Sequence, residues 1–286
     1  MGRSSRAGLA ATLALLLIGA AGCAAMDNAA DSAAAGSCAK DKLRLVTGGQ
    51  LTIGTDKPAY EPWYKNDDPA GGQGFEAAVA YAVAEDLGFR RDEVKWTVVA
   101  FNDSYKPGRK KFDFDINQIS ITPERARDVT FSDGYYTVNQ AVVALNTSPI
   151  ANLSSIADLR SAKLGTQVGT TAVTFINRVV RPTVRPVTYA DTDQAKKAMA
   201  AGQVDGIVTD LPTAFYLTSA EIENSRIVGQ FEPQGGSTEQ FGLLFEKNNP
   251  LVNCVNQALT ELRSTGELQR LEDTWLAESA GAPRLG

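Results

Sequence analysis

Histidine is absent from this chain of 286 residues, and cysteine occurs only three times. Without an imidazole, general acid–base chemistry would have to rely on carboxylates, lysine or tyrosine. The sequence also lacks a Gly-x-Ser-x-Gly motif and any cluster of residues at metal-ligand spacing. These absences exclude hydrolases built on a serine–histidine pair and predict a protein with no metal site, whereas a mechanism that uses carboxylates stays open.

Positive charge is scarce as well, because 28 lysine and arginine residues stand against 33 aspartate and glutamate residues, a formal net charge of −5. A fold this acidic is a poor candidate for binding nucleic acid. Long apolar runs are also lacking, since the run at residues 9–18 is too short to span a bilayer. We therefore expect neither a nucleic-acid partner nor a membrane-spanning helix.

Residues 1–23 are predicted to be a lipoprotein signal peptide. Arg3 and Arg6 precede the apolar run, and small residues then lead to Cys23. This ending resembles the bacterial lipobox, whose cysteine is lipidated; an ordinary secretory signal is the alternative. We expect an extracytoplasmic protein that is anchored through a lipid on Cys23 to the outer face of the cell membrane. Residues 24–47 are predicted to form a flexible tether, because small and polar residues dominate their first part.

The two remaining cysteines are Cys38, at the start of the globular part, and Cys254, on an apolar-periodic segment near the C-terminus. In an exported protein, such a pair is more often a disulfide than two free thiols. We therefore expect a Cys38–Cys254 disulfide with a purely structural role.

Strand and helix patterns alternate along the rest of the chain, which predicts an α/β fold. Helices are predicted over 75–87, directly after 169–171, from Thr192 to just before Gly202, and twice within 250–276, with a break near Gly266. Strands are predicted over 50–55, 94–99, 112–119, 140–146, 163–167, 206–209, 227–231 and 241–245.

The most informative segment follows the strand predicted to end at Ile119. Thr122 and Pro123 are typical of an N-cap and a first-turn proline, so a short helix is predicted to begin at the carboxyl end of that strand. Ligands bind at this position in open α/β sheets. The planar guanidinium of Arg125 could hold a carboxylate there in a bidentate pair. The alternative is an arginine in a surface ion pair.

This segment reads Ser120-x-Thr122-x-x-Arg125, and Phe131-Ser132-x-x-Tyr135-Tyr136 follows it. The pattern closely resembles that of the bacterial amino-acid-binding proteins that serve ABC importers, solute-binding protein family 3. The resemblance covers about residues 48–278. It implies a two-lobed, periplasmic-binding-protein-like (type 2) α/β fold, with a central cleft and two crossover hinge segments.

The resemblance also suggests how the chain is divided between the lobes. Residues 48–139 and 239–286 would form a discontinuous first lobe, and residues 140–238 would form the second lobe with the hinge crossovers. The glycine-rich residues 235–237 lie near the return crossover and suit a hinge, with a plain surface turn as the alternative.

Residues 54–63 resemble the family's Gly-x-Asp-x-x-Tyr-x-Pro-Phe segment, with one extra residue before Tyr60 and with Trp63 in the last place. The resemblance implies that Tyr60 and Trp63 pack on the aliphatic part of a ligand. Asp56 could accept a hydrogen bond from the ligand's side chain. The alternatives are two core aromatics and an aspartate that caps a turn.

Further ligand-binding residues are implied by the resemblance. Gly169, Thr170 and Thr171 resemble the family's Gly-Thr-Thr at the start of a second-lobe helix, where free N–H groups favour an anion. Asp210 matches the second acid of the family's Asp-x-x-x-x-Asp segment, which meets the ligand's ammonium; a helix-capping aspartate is the alternative. The segment described above adds Asn117, Gln118, Ser120 and Arg125.

The resemblance thus implies a monomeric, non-catalytic receptor without a cofactor, which captures a free amino acid and delivers it to the permease subunits of an ABC transporter. The polar residues Asn117, Gln118, Gln167 and Thr209 favour a polar or basic amino acid over glutamate. One alternative is an enzyme on the same fold, a carboxylate-based dehydratase or a peptidoglycan lyase. The other is a ligand-sensing subunit of a signalling system.

Overall fold

The structure is a computed structural model that describes residues 38–231, 238–276 and 282–285. Strands occupy β1 Leu51–Thr55, β2 Val94–Val98, β3 Phe114–Asp115, β4 Val129–Phe131, β5 Tyr136–Val138, β6 Gln140–Leu145, β7 Leu164–Gln167, β8 Val187–Tyr189, β9 Gly206–Asp210, β10 Ser225–Phe231, β11 Glu239–Phe241, β12 Leu244–Glu246 and β13 Arg284–Leu285. Helices occupy α1 Phe75–Asp86, α2 Phe101–Ser104, α3 Pro123–Ala126, α4 Thr171–Phe175, α5 Thr192–Ala200, α6 Leu211–Tyr216, α7 Leu251–Ser264 and α8 Glu267–Trp275.

The first lobe is built on a five-stranded sheet in the order β2-β1-β3-β12-β4. Strand β1 pairs in parallel with β2 and β3, and β12 runs antiparallel to β3 and β4. Apolar residues at helical spacing along α1, such as Phe75, Val79 and Val83, are fully buried in one core together with Val255 and Leu259 of α7. Helices α7 and α8 therefore complete a lobe that begins at the N-terminal end of the globular part. Residues 239–286 are all predicted to lie in this lobe, but β13 pairs with β10 in the other sheet.

The second lobe is built on a six-stranded sheet in the order β13-β10-β6-β9-β7-β8. Strand β6 is antiparallel to its neighbours β9 and β10, whereas β7 is parallel to β8 and β9. One core cluster contains Ala172 and Ile176, from the start of α4 and the helical turn after it, and another contains residues of α5 and α6. Helices thus cover the sheet, as the near-continuous apolar runs of its strands require.

Two strands join the lobes. Strands β5 and β11 pair antiparallel as a separate two-stranded ribbon, with Tyr136 opposite Phe241 and Val138 opposite Glu239. The chain enters β6 of the second sheet directly after β5, and it continues from β11 into β12 of the first sheet. The predicted two-lobed α/β fold is confirmed.

Three local predictions are wrong. The segment 241–245 is not one strand but the end of β11 and the start of β12, which lie in different sheets. The strand predicted over 112–119 is observed only at Phe114–Asp115, and Gln118 near its predicted end has φ 47°, which is not an extended conformation. Helix α5 is capped by Asp191, whose carboxylate accepts from the N–H of Gln194 at 2.8 Å, rather than by Thr192.

The predicted Cys38–Cys254 disulfide is present, with an S–S distance of 2.03 Å, and it fastens the start of the described chain to α7. The predicted flexible tether includes residues 38–47, but this part of the prediction is wrong, because Leu43 and Leu45 pack on the core of the first lobe. Apolar contact and the covalent bond together hold this stretch.

The predicted signal peptide with Cys23, the remainder of the tether and the glycine-rich residues 235–237 all lie outside the described residues. None of the helices in the described part of the chain has the length and apolar character needed to cross a bilayer.

Candidate ligand-binding cleft

A cavity opens between the two lobes, at the edge where strands from both sheets end. Most of its wall carries hydroxyl, amide or carboxyl groups. The lining residues are Asp56, Pro58, Tyr60, Phe101, Asn117, Gln118, Ser120, Gln140, Thr166, Gln167, Thr170, Thr171, Ala172, Thr192, Ala195, Ile207, Val208, Thr209, Asp210, Thr213 and Phe241. Most of the residues that the sequence predicted to bind a ligand are in this wall, and the exceptions are Trp63, Arg125 and Gly169.

Trp63 does not reach the cavity. Its side chain is fully buried and packs against Phe75, Tyr136 and Phe241, with ring centroids 5.7–6.0 Å apart. Its indole N–H donates to Thr213 Oγ1 at 2.8 Å, a buried hydrogen bond between the lobes. Trp63 is therefore a core residue rather than a ligand-packing one, and Phe101 and Phe241 are the aromatic residues that line the wall beside Tyr60.

Arg125 lies behind the wall and connects the lobes. The hydroxyl of Thr122 accepts from the N–H of Arg125 at 3.2 Å, as predicted for an N-cap of α3. The guanidinium donates from Nη1 to the carbonyl of Ser120 at 2.8 Å and from Nη2 to the carbonyl of Gly169 at 2.9 Å. It also lies over the ring of Tyr105, 4.6 Å from the centroid. Carbonyl oxygens rather than a surface carboxylate therefore hold this buried cation.

Gly169 lies where the second lobe meets this guanidinium. Its φ is +81°, and a Cβ on it would lie 1.8 Å from Oδ1 of Asn102 and 2.6 Å from the hydroxyl oxygen of Tyr105. A side chain at this position would therefore require either that the Asn102 and Tyr105 side chains move or that the lobes separate.

Asp210 ends β9 and caps α6, because its Oδ1 accepts from the N–H of Thr213 at 3.0 Å. The capping role that the sequence left open is thus observed, and the same side chain also lines the cavity. Desolvation in the cleft raises the pKa of Asp210 to about 6. Asp56 shows the same combination: its carboxylate accepts from the N–H groups of Lys57 and Phe101 at 2.7 and 3.2 Å, and burial raises its pKa.

Sequence reasoning missed Glu239, the first residue of β11. Its Oε1 accepts from the hydroxyls of Ser120 at 2.5 Å and of Thr171 at 2.6 Å. Its Oε2 accepts from the side-chain amide of Gln140 at 3.4 Å. Glu239 therefore links the two walls through residues assigned to ligand binding. No motif marks it, because only the pairing of β11 with β5 brings it to the cleft.

Sequence reasoning also missed Phe101, Gln140 and Thr213. Phe101 could have been found, because it follows the carboxyl end of β2, the edge at which ligands bind in such sheets. Two amide atoms in the wall, Asn117 Nδ2 and Gln140 Oε1, are buried and have no hydrogen-bond partner within the described part of the chain. A donor and an acceptor are thus free for a polar ligand.

Comparison with known proteins was consistent with this architecture. The profile of the bacterial extracellular solute-binding proteins, family 3, matches residues 51–278. The L-cystine-binding protein TcyJ of Escherichia coli (strain K12) is 27% identical over 231 residues, which cover 79% of this chain and 82% of that protein.

Two solved structures are also similar. One is an ancestral arginine-binding protein bound to glutamine, with a TM-score of 0.67 and 27% identity over 80% of this chain and 99% of that one. The other is an ancestral amino-acid-binding protein described as a precursor of cyclohexadienyl dehydratase, with a TM-score of 0.65 and 27% identity over 79% of this chain and 95% of that one.

Replacing Gly169 with alanine is expected to open the cleft, because the new Cβ collides with Asn102 and Tyr105 of the other lobe. Gly202→Ala is the matched control, since Gly202 has φ +67° but no atom within 4 Å of the position that its new Cβ would take. Both variants should lose about 1–2 kcal/mol of stability from the left-handed backbone. Small-angle scattering of the purified proteins should show a larger radius of gyration for Gly169→Ala only. Identical scattering curves for the two variants would contradict the role assigned to Gly169.

Proposed function

The chain belongs to family 3 of the bacterial extracellular solute-binding proteins, and from this premise we propose that it is an extracytoplasmic receptor for a free amino acid. It would release that amino acid to the permease subunits of an ABC transporter. The observation that carries the proposal is a polar cleft between two lobes, whose wall holds an unpartnered amide donor and an unpartnered amide acceptor. Such a wall suits a small polar ligand that offers a hydrogen-bond acceptor and a donor to these two amide atoms.

We assign the two charged ends of the ligand to opposite lobes. Asp210 on the second lobe would pair with the ligand's ammonium, because a buried cation needs a full negative charge beside it. Arg125 on the first lobe would exchange its bond to the Gly169 carbonyl for a bidentate pair with the ligand's carboxylate. The hydroxyls of Ser120 and Thr171, which Glu239 now occupies, are the neighbouring donors. These residue roles are proposals that rest on position and chemistry.

The charge around the cleft favours a ligand with a basic side chain. Asp56 and Asp210 line the cavity, and the carboxylate of Glu239 lies directly beside Ser120 and Thr171 of its wall. Arg125 is the cation in contact with Ser120 behind the same wall. Three carboxylates and one guanidinium leave a surplus of negative charge for a second cationic group on the ligand. One structural relative is described as an arginine-binding protein.

Catalysis is the alternative from another class, since another structural relative is described as a precursor of a dehydratase. The cavity carboxylates Asp56 and Asp210 each accept backbone hydrogen bonds. Pairing with the ligand's ammonium would lower the pKa of Asp210 and make it a weak proton acceptor in the complex. We therefore propose binding without turnover. Recovery of the bound amino acid as a changed product would favour the enzyme instead. A ligand-sensing subunit would bind the amino acid in the same way. It would differ only in the partner protein that recognises its ligand-bound form.

Ligand screening tests the proposed function directly. L-arginine and L-lysine are expected to raise the melting temperature more than L-glutamate does, because of the surplus negative charge at the cleft. A ligand present at 100 times its Kd should add about 2.7 kcal/mol of stability. Glu239→Gln keeps the shape of the side chain and removes one negative charge. It should reduce the difference between the melting-temperature shifts that arginine and glutamate produce. A screen of all common amino acids that gives no shift would rule out the proposed function, and preference for glutamate would overturn the assigned ligand class.

Binding is expected to weaken as the pH falls through 6. The raised pKa of Asp210 leaves its carboxyl protonated below about pH 6 in the free protein, and a neutral carboxyl cannot pair with an ammonium. Since pairing lowers this pKa in the complex, binding releases a proton, and affinity for L-arginine should be about tenfold weaker at pH 5 than at pH 7. Calorimetry at both pH values measures this.

Asp210→Asn is the control for that pH dependence, because asparagine still caps α6. The variant should bind more weakly at both pH values and lose the dependence. If Asp210→Asn keeps the pH dependence of arginine affinity, the titrating group is another residue. Glu239 is one candidate, and Glu76, whose pKa burial raises to about 7, is another.

We also propose that a lipid on Cys23 holds the receptor at the outer face of the membrane. The support is sequence alone, because residues 1–37 lie outside the described part of the chain. Cys23→Ser should move the protein from the membrane fraction to the soluble fraction, without a change in ligand affinity, since the cleft is built from residues 56–241. Membrane retention of the variant in fractionated cells would contradict the anchor.

A further inference from the structure

Helix α1 carries a buried carboxylate that plays no part in the cleft contacts described above. Glu76 has no exposed surface, although it lies in the first turn of α1, among core residues. A buried carboxylate is costly unless hydrogen bonds satisfy it. Its Oε1 accepts from the backbone N–H of Gln118 at 2.6 Å and from the hydroxyl of Tyr135, and its Oε2 accepts from the side-chain amide of Gln118. All three of these donors are thus neutral groups, and two of them belong to Gln118 of the cavity wall.

The backbone of Gln118 is the reason that these contacts matter. Its φ of 47° lies in the left-handed region, which residues other than glycine rarely occupy. Such a conformation persists only where its surroundings fix it. Glu76 does so by accepting from both the backbone and the side chain of Gln118. The turn at Gln118 lies between Asn117 and Ser120, which also line the cavity.

Tyr135 connects the same carboxylate to the two-stranded β5–β11 ribbon that joins the lobes. It immediately precedes β5, and its N–H donates to the carbonyl of Phe241 in β11 at 2.8 Å. The Glu76 carboxylate therefore joins α1, the ligand wall and the crossover ribbon through direct hydrogen bonds.

We propose that Glu76 is a positioning residue for ligand binding: without touching the ligand, it holds the turn at Gln118 so that Asn117, Gln118 and Ser120 present their side chains to the cleft. This inference rests on the proposed function, and the ordering of the turn can be measured without any ligand. Burial raises the pKa of Glu76 to about 7, and a protonated carboxyl can still accept the two bonds at Oε1. The positioning role therefore depends on the oxygen acceptors rather than on the charge.

Three variants separate positioning from a purely structural role. Glu76→Gln keeps an oxygen for the Gln118 N–H and the Tyr135 hydroxyl, and the Gln118 amide can rotate to meet its NH₂ group. Glu76→Leu keeps the volume but removes all acceptors. Val79→Ala is the matched control, because Val79 is fully buried on the same helix and in the same core cluster, and it should lower the melting temperature without affecting the turn.

Two measurements apply to all three variants: exchange of the Gln118 amide hydrogen in the ligand-free protein, and calorimetry with L-arginine as the probe. Glu76→Leu should exchange this hydrogen at least about tenfold faster than the wild type and bind arginine at least about tenfold more weakly, since a buried donor loses its acceptor. Glu76→Gln should stay near the wild type in both. Val79→Ala should match the wild type in both despite its lower stability.

The inference is overturned if Glu76→Leu leaves the exchange of Gln118 unchanged, or if Val79→Ala changes exchange and affinity as much as Glu76→Leu does. If Glu76→Leu does not fold, Glu76→Asp replaces it: the shorter carboxylate cannot reach both donors of Gln118, so faster exchange is again expected and unchanged exchange again overturns the inference. A wild type that binds no arginine counts against the proposed basic ligand only, because the exchange measurements still decide the role of Glu76.

Discussion

The two lobes meet where the buried guanidinium of Arg125 donates to carbonyl oxygens on both sides of the cleft. A buried charge is costly unless hydrogen bonds or an opposite charge compensate it, so the arrangement of the cleft depends on what Arg125 contacts. In this structure the second-lobe acceptor is the carbonyl of Gly169, a position at which a side chain would collide with Asn102. A ligand carboxylate would compete for the same donors, which couples ligand binding to the contact between the lobes.

Other polar contacts close the same interface. The indole of Trp63 donates to Thr213, and the carboxylate of Glu239 accepts from Ser120 on one wall and Thr171 on the other. These are hydrogen bonds rather than large apolar surfaces, so they can be exchanged for bonds to water or to a ligand at modest cost. An interface of this kind suits a receptor that has to open and close, with the β5–β11 ribbon as the connection that persists.

The walls of the cleft depend in turn on buried polar groups behind them. Glu76 fixes the left-handed turn at Gln118, and the hydroxyl of Tyr64 donates to the carbonyl of Ile116 at 2.5 Å just before that turn. These side chains belong to the first-lobe core by position, yet their hydrogen bonds reach the segment that lines the cavity. On this side of the cleft, the contacts that stabilise the core therefore also determine the geometry of the cavity wall.

Periodicity, capping and cysteine pairing are local or compositional signals, and they were enough to predict the α/β alternation, the disulfide partners and the N-cap of α3. The two-lobed arrangement was predicted from the resemblance of residues 120–136 to a known family. The packed fold was needed to show that Trp63 is a core residue, that Arg125 contacts Gly169, and that Glu76 and Glu239 reach the cleft walls. Glu76 is 42 residues from Gln118, and Glu239 is 119 residues from Ser120. Contacts over such separations depend on how the elements pack, which no local pattern in the chain encodes.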